Sequence, residues 1–556
     1  MTETNVVPVT CHNLQVTDAP SPSTPPARGK EFRGKRAASN SLIVAAGLVT
    51  VLLISLVTTP IAINHIGTAE FAVWTLATTT IGILTALDPG FSNMVTRYGA
   101  QAKVRGETHV AARICAAGSL AWLGFGLVFA VPVYFFVPFL VDNMGLNPGV
   151  RSIASVFFYW SFGLVIFSSL LSTLSSRLSA VGDQWIVTTI DVATRIVYAV
   201  TLIELLSHGW RLSAIALATT VQFVLAYVTT FVLIALRQGR PYASPRGLDR
   251  SELREVARFG GWLQVNSILD TLTNETDPLV LSFALGKDAV AIWGFSNRLA
   301  RQITTFAYVP QQNILPVMSA SFAAFEGVDR MRKLYRRAQQ IIVLLGAFLT
   351  GTIIAFGPLM FKAWLGQPHR EADVATILVA LTLMAGLPRP ATANAILALG
   401  RAGYGVPATI LAFSVNVVFT LILVWPFGLN GVLIGTLLAK IAATSYLLQR
   451  FCALVGSTYR EIILPWLIPL VGVTAVAAGL GRLAMSQWPQ ALHSRTGALE
   501  ALMVLGAGYT LVYFIGLKLT RYFTHHDLLW IRSTAPGPLG KVISPRMVAM
   551  LGHGPA

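Results

Sequence analysis

Residues 67–74 read Gly-Thr-Ala-Glu-Phe-Ala-Val-Trp, and residues 286–293 read Gly-Lys-Asp-Ala-Val-Ala-Ile-Trp. Each stretch opens on glycine and closes on tryptophan seven positions later. Each follows a proline, Pro60 in one case and Pro278 in the other, and the two lie 219 residues apart. Each falls between an odd-numbered apolar run and the next, with six runs in the interval, so the copies cross a membrane in the same direction. Parallel repeats of this kind, related by an axis along the membrane normal, build two-lobed transporters. A Gly-x6-Trp match also recurs by chance in a Trp-rich chain, but the matching place in the helix order favours duplication.

The composition around these stretches points the same way. Of 556 residues, 54% are hydrophobic and 12% charged, and mean hydropathy is +0.64. A soluble domain is about 25% charged, so this chain cannot cover a water-facing surface. Disorder, collagen and ordinary cytosolic enzymes are excluded. A transmembrane helix needs about 20 apolar residues. Fourteen candidate spans run roughly over 41–63, 71–90, 111–138, 152–174, 185–206, 212–236, 259–282, 289–317, 338–361, 374–399, 404–426, 430–450, 462–481 and 498–518. The expected fold class is an all-α polytopic membrane protein: two parallel six-helix lobes around a central cavity, plus two extra C-terminal helices. The expected divisions are a disordered basic tail (1–40), a first lobe (41–236), a basic linker (237–258), a second lobe (259–451), the last two helices (462–518) and a C-terminal tail (519–556).

Charge sets the orientation. Lys and Arg number 41 against 24 Asp and Glu, a net +17. Most of the cations sit between apolar runs, so the excess reads as topology rather than nucleic-acid binding. With the N-terminus inside, 29 of the 41 fall in inside segments, 7 in outside loops and 5 within spans. That bias follows the positive-inside rule and puts both termini in the cytoplasm. The linker cations Arg250, Arg254 and Arg258 are suited to anionic lipid. Outside loops are short, which leaves no room for the catalytic loop of a membrane glycan polymerase or ligase. Cys11, Cys115 and Cys452 form no metal or disulfide pattern, and the sequence lacks GxxxxGK[ST], HExxH and GxSxG. No cofactor and no catalytic residue is expected.

Ionisable residues inside spans cost about 2.5–3.5 kcal/mol each on insertion scales and mark function by default. Asp191 and Arg195 are four apart and read as a self-neutralising pair. Lys440 reads as snorkelling or pairing with a polar neighbour. Arg298 and Arg301 share one face of the eighth span, and Arg389 lies between Pro388 and Pro390 in a broken helix. These three arginines are the candidate ligands for an anionic group such as pyrophosphate, because a guanidinium stays charged and presents a planar fork of donors. The competing expectation is that Arg298 and Arg301 pair with Asp270, Glu275 or Asp277 of the seventh span. Those three acids, with Asn266 and Asn274 beside them, are candidates for coupling Na⁺ or a proton.

Several motifs carry a family resemblance. Ile66-Gly67…Val73-Trp74, Leu87-Asp88-Pro89-Gly90-Phe91 with Arg97, and Asp277…Leu285-Gly286…Ile292-Trp293…Asn297-Arg298-Leu299…Leu315-Pro316 are similar to the polysaccharide flippases of the multidrug/oligosaccharidyl-lipid/polysaccharide exporter superfamily. The likeness covers roughly 35–460. Pro89 and Asn297 depart from it: an apolar residue and an acid are usual there. In the related lipid II flippases an Arg before Leu in the eighth helix faces the cavity, and an acid of the seventh helix lies near a sodium site; Arg298 and Asp277 match them. The resemblance implies transport of a polyprenyl-pyrophosphate-linked oligosaccharide from the cytoplasmic to the outer leaflet of a bacterial inner membrane. Membrane lipids and possible glycan polymerase or glycosyltransferase partners would surround it. A drug or organic-cation antiporter of the same superfamily is the alternative, with an acidic cavity; a membrane polymerase or ligase is a second.

Overall fold

A computed structural model describes residues 34–86, 92, 95–96, 108–144, 146–180, 183–244, 267–307, 327–367, 369–399 and 404–522. The expectations for Cys11, the first part of the tail, Leu87–Phe91, Arg97, Arg250, Arg254, Arg258, Asn266, Leu315-Pro316 and the chain beyond Tyr522 lie outside the described residues. Within them the chain is all-helical, without a strand. In order come α1 (Gly34–Ala86), α2 (Thr108–Asn143), α3 (Pro148–Ala180), α4 (Gln184–Ser207), α5 (Arg211–Gln238), α6 (267–275), α7 (Asp277–Ala284), α8 (Lys287–Thr304), α9 (Gly327–Leu365), α10 (Asp373–Gly386), α11 (Pro388–Ala398), α12 (Gly405–Leu454), α13 (Tyr459–Ile462), α14 (Leu464–Ser486) and α15 (Arg495–Leu519).

Ten stretches among the described residues are long and apolar enough to cross a membrane. Four of them are interrupted: α1 turns at Gly67, α9 at Phe356 and α12 at Gly428, each a non-helical residue inside a continuous run, and the stretch Asp373–Ile396 is divided into α10 and α11. The charged fifth span and the thirteenth both form, as α4 and α14. Large apolar side chains stand outward on many helices, among them Leu127 and Trp425, each 77% exposed. Such a surface fits lipid, since a soluble protein rarely shows apolar patches on this scale.

The two copies of Gly-x6-Trp take the same backbone turn. Gly67 has φ 77° and ψ 174°, and Gly286 has φ 81° and ψ −170°. Positive φ with ψ near 180° is essentially reserved to glycine and costs another residue roughly 1–3 kcal/mol, so only glycine makes the turn freely. Gly209 and Gly428, with φ 80° and 56°, are a second pair 219 residues apart. They end the fifth and eleventh spans as Gly67 and Gly286 end the first and seventh.

Packing differs between the two ends of the bundle. At the end carrying these glycine turns, one continuous core takes residues from both halves: Ala62–Ala77, Leu202–Ala218, Leu281–Ala300 and Val424–Leu433 all contribute. Phe71 stacks on Phe295 at 4.5 Å, and the Trp364 indole donates to the Leu56 carbonyl at 2.7 Å. Away from the turns the described residues form two separate cores. One joins Leu174, Leu178, Ile186, Ile190, Ala226 and Ile234 of the first half; the other joins the second half to α14 and α15. The last helix is fixed by a ladder of tyrosines: Tyr509 and Tyr513 donate to the Phe348 and Leu344 carbonyls of α9 at 2.9 and 3.0 Å.

The halves meet closely at Gly294. A Cβ there would lie 2.7 Å from Thr75 Oγ1 and 2.8 Å from the Phe71 ring, whereas one at Gly124 would meet nothing. Gly294→Leu therefore lowers the melting temperature of the purified protein, or its yield of monodisperse protein in size-exclusion chromatography, and Gly124→Leu leaves both unchanged.

Candidate functional site

Asp270, Asn274 and Glu275 lie on α6, sixteen residues or fewer before Gly286. Asp270 is thus separated from the turn by two short helices, α6 and α7, with a bend at Thr276 between them. Arg301 is near the end of α8, and Lys440 is on α12 beyond its break. Arg389 is placed by its two prolines. Neither Pro388 nor Pro390 has an N–H, so the helix cannot run through them unbroken. Instead α10 stops, Leu387 N–H donates to the Met384 carbonyl at 3.2 Å, and α11 begins at Pro388. The carbonyl of Pro388 accepts from Gln339 Nε2 at 2.9 Å.

These elements enclose one cavity of about 380 Å³, lined by Asp270, Asn274, Glu275, Arg301, Arg389 and Lys440 with threonines between them. The charges form two bonded clusters that line the same space. Arg389 reaches Asp270 Oδ1 through Nη1 and Thr409 Oγ1 through Nη2, both at 2.6 Å. Asn274 Nδ2 donates to the Asp270 carbonyl at 2.6 Å, and Asn274 Oδ1 accepts from Lys440 Nζ at 2.5 Å. Arg301 pairs with Glu275 at 3.4 Å and donates from Nε to Asn297 Oδ1 at 2.9 Å. Three cations and two carboxylates thus face a shared space. The arginines hold their partners by charge-assisted bonds, the stronger class.

Four of the six sequence-derived candidates are therefore together: Asp270, Glu275, Arg301 and Arg389. Arg301 and Glu275 do pair, as one expectation had it, and Lys440 meets a polar neighbour. The self-neutralising pair also forms, with Arg195 Nε 3.6 Å from Asp191.

The other two candidates sit elsewhere. The Arg298 guanidinium lies 3.7 Å from the centre of the Trp74 ring and 5.2 Å from that of Phe71. It forms a cation–π contact across the junction between the halves. Asp277 is buried, 3% exposed. Its two carboxylate oxygens accept from Thr436 Oγ1 at 2.8 and 2.9 Å, and Thr436 accepts from Asn416 Nδ2 at 2.9 Å. Sequence reasoning passed over Thr409, Thr436 and Asn416, because a threonine or asparagine in an apolar helix carries no signal of its own. It gave Lys440 no part in the cavity. Only the crossing of α12 over α6 brings that side chain to Asn274.

The family model described as "Polysaccharide biosynthesis protein" matches residues 37–322. None of the curated proteins matches the chain. Among solved structures, the fold is similar to the lipid II flippase MurJ in an inward closed conformation: 12% identity, TM-score 0.63, 89% of this chain and 100% of that one covered. It is also similar to an inward-facing multidrug resistance MATE family transporter of the MOP superfamily: 16% identity, TM-score 0.59, 76% and 99% covered. The Vibrio cholerae MATE transporter VcmN in its bent form gives 17% identity and TM-score 0.52 over 76% and 98%. At these identities the likeness speaks for the fold.

Breaking the Arg389–Asp270 pair leaves one unpartnered charge, which costs roughly 1–2 kcal/mol at this partial exposure. Arg389→Gln melts below wild type, and Asp270→Asn combined with Arg389→Gln recovers at least half of the loss. Equal melting of single and double variants would show the two residues to be uncoupled.

Proposed function

Because the chain belongs to the polysaccharide biosynthesis protein family and has the fold of the MOP-superfamily transporters, we propose that it flips a polyprenyl-pyrophosphate-linked oligosaccharide from the cytoplasmic to the outer leaflet. The observation that carries this reading is the cavity in which Arg301, Arg389 and Lys440 converge. A pyrophosphate diester cannot enter hydrocarbon unaided. A cavity with an excess of cations replaces its hydration with fixed donors, while the prenyl tail stays in lipid. Both arginines present the planar fork that phosphate oxygens accept.

The carboxylates tune the site. In the resting state Asp270 occupies Arg389 and Glu275 occupies Arg301. An incoming pyrophosphate takes over the guanidiniums, and the released carboxylates become places for a proton or Na⁺. Asp277, held by Thr436 and Asn416, is a third coupling candidate. Transport then proceeds by alternating access. The joined core at the glycine-turn end parts and the opposite end closes. This movement lifts Arg298 off Trp74, making it a ligand for the phosphate in the outward state. No bond of the substrate is made or broken, so the reading has no catalytic residue. The delivered glycan is the substrate of a polymerase or glycosyltransferase on the outer side, the natural class of partner.

An organic-cation antiporter would need free acids in its cavity, and Asp270 and Glu275 are both engaged by arginines. Complementation separates the two. In a host lacking its own flippase, the wild-type gene restores surface polysaccharide and clears the lipid-linked intermediate from the inner leaflet. Arg389→Ala and Lys440→Ala each cut that restoration at least tenfold at equal membrane levels, and neither variant changes resistance to cationic dyes. Full restoration by both variants, or dye resistance conferred by the wild type, overturns the reading.

A further inference from the structure

The first half holds a second cavity, also of about 380 Å³, lined by α1, α3, α4 and α5. The 219-residue interval relates it to the charged one. That interval is fixed at both ends of each half by matched left-handed glycines, Gly67 with Gly286 and Gly209 with Gly428. Two lining positions coincide under it: Val51 with Asp270, and Leu171 with Pro390. The cavities thus overlap in part under the repeat interval.

Their chemistry is opposite. The five charged residues of the second-half cavity are Asp270, Glu275, Arg301, Arg389 and Lys440. The residues 219 positions earlier are Val51, Leu56, Gly82, Leu170 and Val221, none of which ionises. In their place the first-half cavity offers Ser175, Gln184, Thr188 and Thr230, with the carboxylate of Asp191 already balanced by Arg195 at 3.6 Å. Apolar walls carrying a few neutral hydrogen-bonding groups suit a ligand that is rich in hydroxyls and bears no net charge. A cation here would compete for the pyrophosphate and draw it into the wrong half, so the lack of charge serves specificity as much as the groups present do.

We infer that this first-half cavity is the saccharide subsite of the transporter, holding the neutral sugar while the second-half cavity holds the pyrophosphate. The inference rests on the flippase reading. The substrate lies across the two halves, and in the first half Ser175, Gln184, Thr188 and Thr230 exchange hydrogen bonds with sugar hydroxyls while the Asp191 carboxylate accepts from them.

The test is equilibrium binding to the purified full-length protein in lipid nanodiscs, with two probes. One is bare polyprenyl pyrophosphate; the other carries the oligosaccharide extracted from cells in which this gene is deleted and the intermediate accumulates. Wild type binds the glycosylated probe at least tenfold more tightly than the bare one. Thr188→Val with Thr230→Val exchanges hydroxyls for methyls at constant volume, and Ser175→Leu fills space. Each removes most of the sugar-dependent gain and leaves affinity for the bare probe within twofold of wild type. A gain retained in both variants, or no gain in wild type, overturns the saccharide subsite while the flippase reading stands. Failure of wild type to bind the bare probe overturns both. Unchanged bare-probe affinity also shows that each variant is folded.

Discussion

A charged side chain inside an apolar helix bundle has to find a partner, and the rest of this structure is organised around that requirement. Arg389 is only 15% exposed and is held by Asp270 and Thr409. The helix breaks at Leu387, just before Pro388, which puts Arg389 in the first turn of α11. Lys440 lies on another helix and reaches the same cluster through Asn274, whose amide bridges the ammonium and the Asp270 backbone. The pairs lower the cost of carrying charge at this depth without neutralising the cavity, because three cations face two acids. Under the proposed function, a site in that condition is stable when empty and still attracts an anion. Its paired arginines can exchange one set of oxygens for another.

The bundle frames this site asymmetrically. At the glycine-turn end the halves share a core, reinforced by Phe71 on Phe295 and Arg298 on Trp74. Toward the other end the described cores are separate, and both cavities lie there. The contacts at the joined end are aromatic stacking, a cation–π contact and a few hydrogen bonds such as Gln302 to Ser55 at 2.9 Å. Among the described residues none of these is an ion pair between the halves.

Much of this was legible in the sequence, for identifiable reasons. Apolar length and loop charge give the helical class because lipid admits few alternatives. The Gly-x6-Trp stretches read as a repeat, and the structure adds that each glycine takes a positive φ. Asp270, Glu275, Arg301 and Arg389 stood out because charge in a span is costly. What stayed hidden depends on helix crossings that no local pattern encodes. Arg298 has the same residue type and face as Arg301 but lies one turn nearer the junction, where Trp74 and Phe71 meet it. Asp277 follows Glu275 by two residues, yet it sits across the break at Thr276 and bonds to Thr436 instead of facing the cavity. The lack of cations lining the first-half cavity, whose one carboxylate, Asp191, pairs with Arg195, is visible only when its lining is set against the charged positions 219 residues later.

The central claim is that the Arg389–Asp270 pair yields to a pyrophosphate. The most direct measurement is a structure of the protein in lipid with polyprenyl pyrophosphate bound. The account predicts phosphate density within hydrogen-bonding distance of Arg389 and Lys440, with the Asp270 carboxylate moved away from the guanidinium. Phosphate density elsewhere, with Arg389 and Asp270 still joined and the cavity between α6, α8, α11 and α12 empty, would contradict it.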